Sequence, residues 1–189
     1  MEFHDKLTTL SAVLPESFRN LQHVLKQLGS LFTTTYPQVL SHDDLNEMNI
    51  MVDADGSIIG IIDWIDARVL PFGISLYGLE NLLGYMDGEG WHYFYNHVEL
   101  RALFWGIFKD EVGEISEAEM QAIMVARMAG LLIRYGFTWD GYKQVPNDVN
   151  PYLHAFCLIE EAQWVHNGLP SRATRTNNGQ TVDLGSEAR

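Results

Sequence analysis

A single cysteine, Cys157, stands among the 189 residues, so no internal disulfide can staple the chain. The fold has to rest on burial, and at 47% hydrophobic residues a chain of this length closes one sizeable core rather than two. Cations are scarce as well: 12 Lys and Arg face 25 Asp and Glu, a formal net charge of -13. A surface of that sign repels nucleic acid and anionic membranes, and leaves a small molecule, a cationic one included, as the compatible partner. Long apolar runs are missing too, and MEFHDKLTTLSAVLPESF has no basic start leading into an apolar stretch. Both absences predict a soluble protein with no leader and no membrane span. The lone thiol lies in HAFCLIEEAQWVH, an apolar setting with nothing basic adjoining it, which predicts a buried structural cysteine in a reducing, cytoplasmic compartment.

The apolar positions that are present organise the chain. Phe18, Leu21, Leu25, Leu28 and Phe32 recur near helical spacing, with Pro15 placed for a first turn and Gly29 near the end. YPQVLSH then reads as extended, NIMVD as a strand, DADG as a tight turn and SIIGIIDW as a second strand, together a hairpin. From Ser75 onward the pattern predicts helices: SLYGLENLLGYM, then WHYFYNHVELRALFWGIFKDEV, then one opened by a capping box at Ser116 and Glu119. Met120, Met124 and Met128 read as a core stripe along that last helix. A further helix begins at Asn150 and Pro151 and stops before Gly168, after which a polar tail predicts disorder.

Chemistry concentrates in SHDDLNEMNIMVDADGSIIGIIDW, Ser41 to Trp64. Phosphoryl transfer needs a group that takes or orients the proton of the attacking hydroxyl, donors for the metal that neutralises the phosphates, and geometry that aligns them. His42-x-Asp44-x4-Asn49, with Asp63 ending the next strand, offers each: Asp44 for the proton, and Asn49 and Asp63 as hard oxygen donors of the kind Mg2+ prefers. The competing structural reading makes Asp44 and Asn49 loop caps and Asp63 a turn residue. The seven histidines show no spacing that reads as zinc.

VLSHDDLNEMNIMVDADGSIIGIIDWIDARVLPFGISLYGLENLLG resembles the C-terminal lobe of the aminoglycoside phosphotransferase (APH) family, and its fungal members in particular. The resemblance runs from about LPESFRNL to about Asn167. It implies an α+β, mainly helical fold: the C-terminal lobe of a protein-kinase-like architecture with a small catalytic β-hairpin. By residue, it implies Asp44 as catalytic base, Asn49 and Asp63 as ligands of Mg2+ and hence of ATP, and a structural place for His42. The division expected is an arm over 1–14, the kinase-like lobe over 15–168 and the polar tail over 169–189.

Two departures qualify the resemblance. The family usually carries Gly where this chain has Asp43, so a second carboxylate stands beside the base, at a position whose backbone angle can demand glycine. The family's N-terminal lobe, with a phosphate-covering loop and a lysine paired to a glutamate, has no counterpart in the stretch before Ser41, where the lysines are Lys6 and Lys26. The expectation is a truncated phosphotransferase domain whose uncovered face takes a partner chain or a second copy, or the N-terminal helix. The alternatives are a non-catalytic kinase-like binding module and a gene fragment. Two lesser features stay open between a binding and a packing reading: the aromatic GWHYFYNH, and the acidic Lys109 to Glu119 stretch, which suits a cationic substrate or a solvated helix junction.

Overall fold

The computed structural model describes residues 2–18 and 20–158. Where the sequence suggested an arm, the chain opens with helix α1, Glu2–Ser11, whose Phe3, Leu7 and Leu10 share one face and are buried. Helix α2, Asn20–Gln27, starts later than the position of Pro15 suggested. The residues before it form a turn closed by the Phe18 N–H on the Pro15 carbonyl at 3.0 Å. A 3-10 turn over Leu28–Phe32 extends α2, burying Leu28 and Leu31 while Phe32 stays exposed.

Strand β1, Gln38–Ser41, leads into the candidate site loop. Strands β2, Ile50–Val52, and β3, Ile58–Ile61, form the expected hairpin, its turn tied by Asp53, whose side chain accepts from the Asp55 and Ser57 N–H groups. Strand β4, Arg68–Pro71, pairs antiparallel with β1, setting Ser41 opposite Arg68 and so clamping the segments that enter and leave the site. Glycine is required behind that loop: a Cβ at Gly78 would meet the Leu45 carbonyl oxygen at 2.6 Å.

Beyond Ser75 the helical expectation needs correcting. A 3-10 turn, Ile74–Tyr77, runs into the short helix α3, Gly78–Asn81, and the chain then turns into a second hairpin of β5, Gly84–Asp87, and β6, Gly90–Tyr93. Asp87 makes the reversal by accepting from the Glu89 N–H at 2.8 Å, a local bond that competes with helix. The aromatic stretch therefore begins as a strand, Trp91 and Tyr93 packing toward Phe156. Helix α4, His97–Val112, and helix α5, Glu117–Tyr135, follow, the latter opened by the expected Ser116–Glu119 capping box. A further hairpin, β7, Phe137–Trp139, and β8, Gln144–Pro146, also lay outside the helical expectation. Helix α6, Pro151–Cys157, starts as read, with the Asn150 side chain accepting from the Tyr152 N–H. The helix ends at Cys157, short of the expected stop before Gly168; residues 159–168 and the polar tail lie outside the described residues.

The fold is mixed α and β, with six α-helices and four two-stranded antiparallel sheets among the described residues. Helix α5 is its axis: every residue from Val125 to Leu132 is buried. The main core joins α1, α2, α5 and α6 through Leu7, Leu10, Val24, Met128, Leu131, Leu132, Leu153 and Phe156. A smaller cluster of Leu79, Leu83, Trp105, Met120 and Ile123 ties α3 and α4 to the same helix. Met120 and Met128 are core residues and Met124 packs at their edge. Cys157 is buried, and its desolvation pushes the thiol pKa up. Among the described residues no helix is long and apolar enough to cross a membrane.

One buried ion cluster locks the helices together. Glu80 of α3 is fully buried; it accepts from Arg101 of α4 at 2.8 and 3.1 Å, from Arg127 of α5, and from the Tyr93 hydroxyl at 3.0 Å. Burial alone raises a carboxyl pKa, but Arg127, Arg101 and Tyr93 together hold Glu80 below its ordinary value.

Candidate active site

The site is built on the loop between β1 and β2 and on the end of β3. His42, at its start, is buried; its Nε2 donates to the Ile62 carbonyl at 2.7 Å and its ring meets Trp64 edge-on at 4.8 Å. The loop is thereby fastened to the residue before Asp63. The Asp44 N–H then folds back onto the His42 carbonyl at 2.8 Å, a three-residue turn centred on Asp43. Asp43 sits at φ +54°, so the position where the family carries Gly does take the left-handed backbone expected there. Aspartate tolerates that region better than most L-residues, and its carboxylate is held by Arg68 Nε at 2.7 Å.

Asp44 is half-buried and its carboxylate is bound by Arg134 near the end of α5. Its backbone carbonyl accepts from Asn49 Nδ2 at 2.8 Å and Asn46 Nδ2 at 3.1 Å, so two amides set the loop's shape. The Asn49 carbonyl accepts from the Ile62 N–H at 3.0 Å, continuing the hairpin register, so Asp63 leaves β3 beside Asn49. Asp63 is exposed, adopts φ +62°, ψ +55°, and its carboxylate makes no capping hydrogen bond to the turn that follows it. Asp43 and Asp63 are the non-glycine residues with positive φ among the described residues, and both fall in this site. Local backbone strain of this kind gathers where surrounding structure holds functional groups in place.

Asn49 spends its amide nitrogen on the Asp44 carbonyl, which leaves its oxygen for a metal, and Asp63 adds a carboxylate with no ion-pair partner among the described residues. Among the described residues no group of three His, Cys, Asp or Glu is disposed to cage a metal. Two protein oxygens with the remaining positions left to phosphate and water is how Mg2+ is usually held, so the donor set fits that ion better than a caged one.

Residues 4–78 match the phosphotransferase enzyme family, APH. That span carries His42, Asp44, Asn49 and Asp63, the whole of the site read from the sequence. No curated protein and no solved structure matches the chain. The APH match supports the family resemblance over this span and, with it, phosphotransfer as the general class of chemistry.

Sequence reading missed the cations. Arg134 lies 90 residues from Asp44 and reads as an ordinary last-turn base of α5; Arg68 reads as a strand residue. Only the pairing of β1 with β4 and the packing of α5 beneath the loop bring them to the two aspartates. The acidic stretch between α4 and α5 is exposed and lies at a helix junction, where Glu119 caps α5.

Proposed function

We propose that the domain serves ATP- and Mg2+-dependent transfer of a terminal phosphate to the hydroxyl of a small molecule. The observation that carries this reading is that hydrogen bonds of Asn49 to the Asp44 and Ile62 backbone gather Asp44, Asn49 and Asp63 at one end of the β2–β3 hairpin, within the segment that matches the APH family. In this reading Asp44 orients the attacking hydroxyl and takes its proton, while Asn49 and Asp63 offer oxygens to the metal. Mg2+ bound there would neutralise charge on the phosphates. Arg134 has to yield part of its hold on Asp44 before a substrate hydroxyl can approach, so it acts as a positioning residue for the base. The acidic surface favours a neutral or cationic acceptor.

The kinase-like C-terminal lobe and a cytoplasmic setting belong to the same proposal. So does a partner surface. Ile58, Ile59, Ile61 and Ile62 on and just after β3, with Met51 and Val52 on β2, are exposed on a hairpin that no second layer of the described residues covers. The described residues hold no lysine in a strand and no Gly-x-Gly-x-x-Gly loop to cover phosphates. In our reading the nucleotide's second wall packs on this apolar hairpin, from a partner chain or a second copy. A non-catalytic binding module is the second reading, favoured by the Arg134 bond that occupies Asp44.

Thermal unfolding with and without saturating Mg-ATP separates the two. Ligand at about a hundred times its dissociation constant adds roughly 2.7 kcal/mol and should raise the midpoint by about 5 °C or more. The rise should vanish in Asp63→Ala and persist in Asp44→Ala, which should lose turnover alone. No rise in wild-type protein that unfolds cooperatively would move the assignment to the binding module.

A further inference from the structure

Behind the site loop lies a polar cavity of about 130 Å³, room for a handful of waters and too small for a nucleotide. Three cations line it: Lys6 of α1, Arg68 of β4 and Arg134 of α5. In a chain with 12 Lys and Arg against 25 acids, that concentration runs against the composition. Asp43 is the acid among the lining residues, and Gln144 of β8 adds an amide.

The cations are only partly committed. Arg68 gives its Nε to Asp43 and has a looser contact to Glu2 at 3.8 Å; Arg134 gives one nitrogen to Asp44; Lys6 lies 3.1 Å from Glu2. A guanidinium carries five N–H donors, so most of those on Arg68 and Arg134 have no partner among the described residues. An independent observation points to a ligand. Tyr77 lines the same cavity at 2% exposure, and its hydroxyl is buried with no hydrogen-bond partner. A buried donor without an acceptor is costly and rare. The Arg134 guanidinium lies 5.8 Å from the Tyr77 ring centre, and both residues line the cavity.

We propose that this cavity binds one small oxyanion, phosphate or carboxylate, with Lys6, Arg68 and Arg134 supplying charge and Tyr77 a neutral donor. Two guanidiniums, an ammonium and a buried hydroxyl around a small polar space suit an acceptor-only ligand, and guanidinium forks match paired oxygens of phosphate and carboxylate. The inference stands apart from the phosphotransferase reading, since it needs neither nucleotide nor turnover.

The test is calorimetric titration of the full chain with inorganic phosphate, and separately with acetate, at an ionic strength fixed by chloride. Either oxyanion should bind with one site per chain. Lys6→Gln should weaken that binding about tenfold or more, the loss of one charge-assisted bond, and Tyr77→Phe several-fold. Tyr77→Phe removes a hydroxyl that bonds nothing, so it keeps the test open if Lys6→Gln fails to fold. Heat from phosphate and acetate no different from added chloride would overturn the proposal as simple screening of an acidic protein. Binding of equal strength in wild type and both variants would overturn it by placing the ion elsewhere.

Discussion

Asp43 shows how one residue settles two demands at once. Its left-handed backbone costs on the order of 1 kcal/mol for a residue with a Cβ, while its carboxylate joins the site loop to β4 through Arg68. Asp43→Gly removes the strain and the ion pair together, so its net effect on stability should be small. Asp43→Ala keeps the strain and loses the pair, and should be less stable than Asp43→Gly by about 1 kcal/mol in urea unfolding. Equal stability of the two variants would show that the backbone at this position is not strained. At this scale the sequence was informative where chemistry is local. The spacing of His42, Asp44 and Asn49 could be read directly, and a special angle at 43 was one of two consequences suggested by the family resemblance. The cations that hold both aspartates could not, because strand pairing and helix packing bring them there, and neither leaves a trace in sequence spacing.

Among the elements, those with end signals were legible and those defined by turn chemistry alone were not. The Ser116–Glu119 box and the Asn150–Pro151 start identify α5 and α6 because capping side chains must be in fixed places. The β5–β6 and β7–β8 hairpins are short, their aromatics satisfy helix and strand periods equally, and their reversals depend on Asp87 and Asp140 binding nearby N–H groups. β4 is a strand because β1 lies beside it. The capping box allows a direct check: Ser116→Ala should lower stability by about 1 kcal/mol, and Ser116→Asp, which keeps an N-cap acceptor, should retain most of it, by denaturant unfolding. An unchanged midpoint in Ser116→Ala would mean that the first turn of α5 frays freely.

For the whole molecule, the Glu80 cluster makes the assembly of α3, α4, α5 and β6 a charged one. A carboxyl held below its ordinary value of 4.5 in the folded chain stabilises the fold at higher pH. That contribution is complete above the unfolded value and is lost as pH falls through the folded one. Acid unfolding should therefore steepen below about pH 4.5, and Glu80→Gln should flatten that limb while destabilising the fold at neutral pH by about 3–5 kcal/mol, because Arg127 and Arg101 are left unpaired. Unchanged acid unfolding in the variant would place the sensitive carboxyls elsewhere.

Met48 and Met51 flank Asn49 and are exposed at 79% and 46%, whereas Met120 and Met128 are enclosed. Thioethers take up oxygen according to access, so chemical ageing starts at the rim of the site and leaves the interior untouched. A preparation can thus keep its full helical signal and its unfolding midpoint while the surface around Asn49 has already become polar, and peptide mass, not spectroscopy, is the measure of its age.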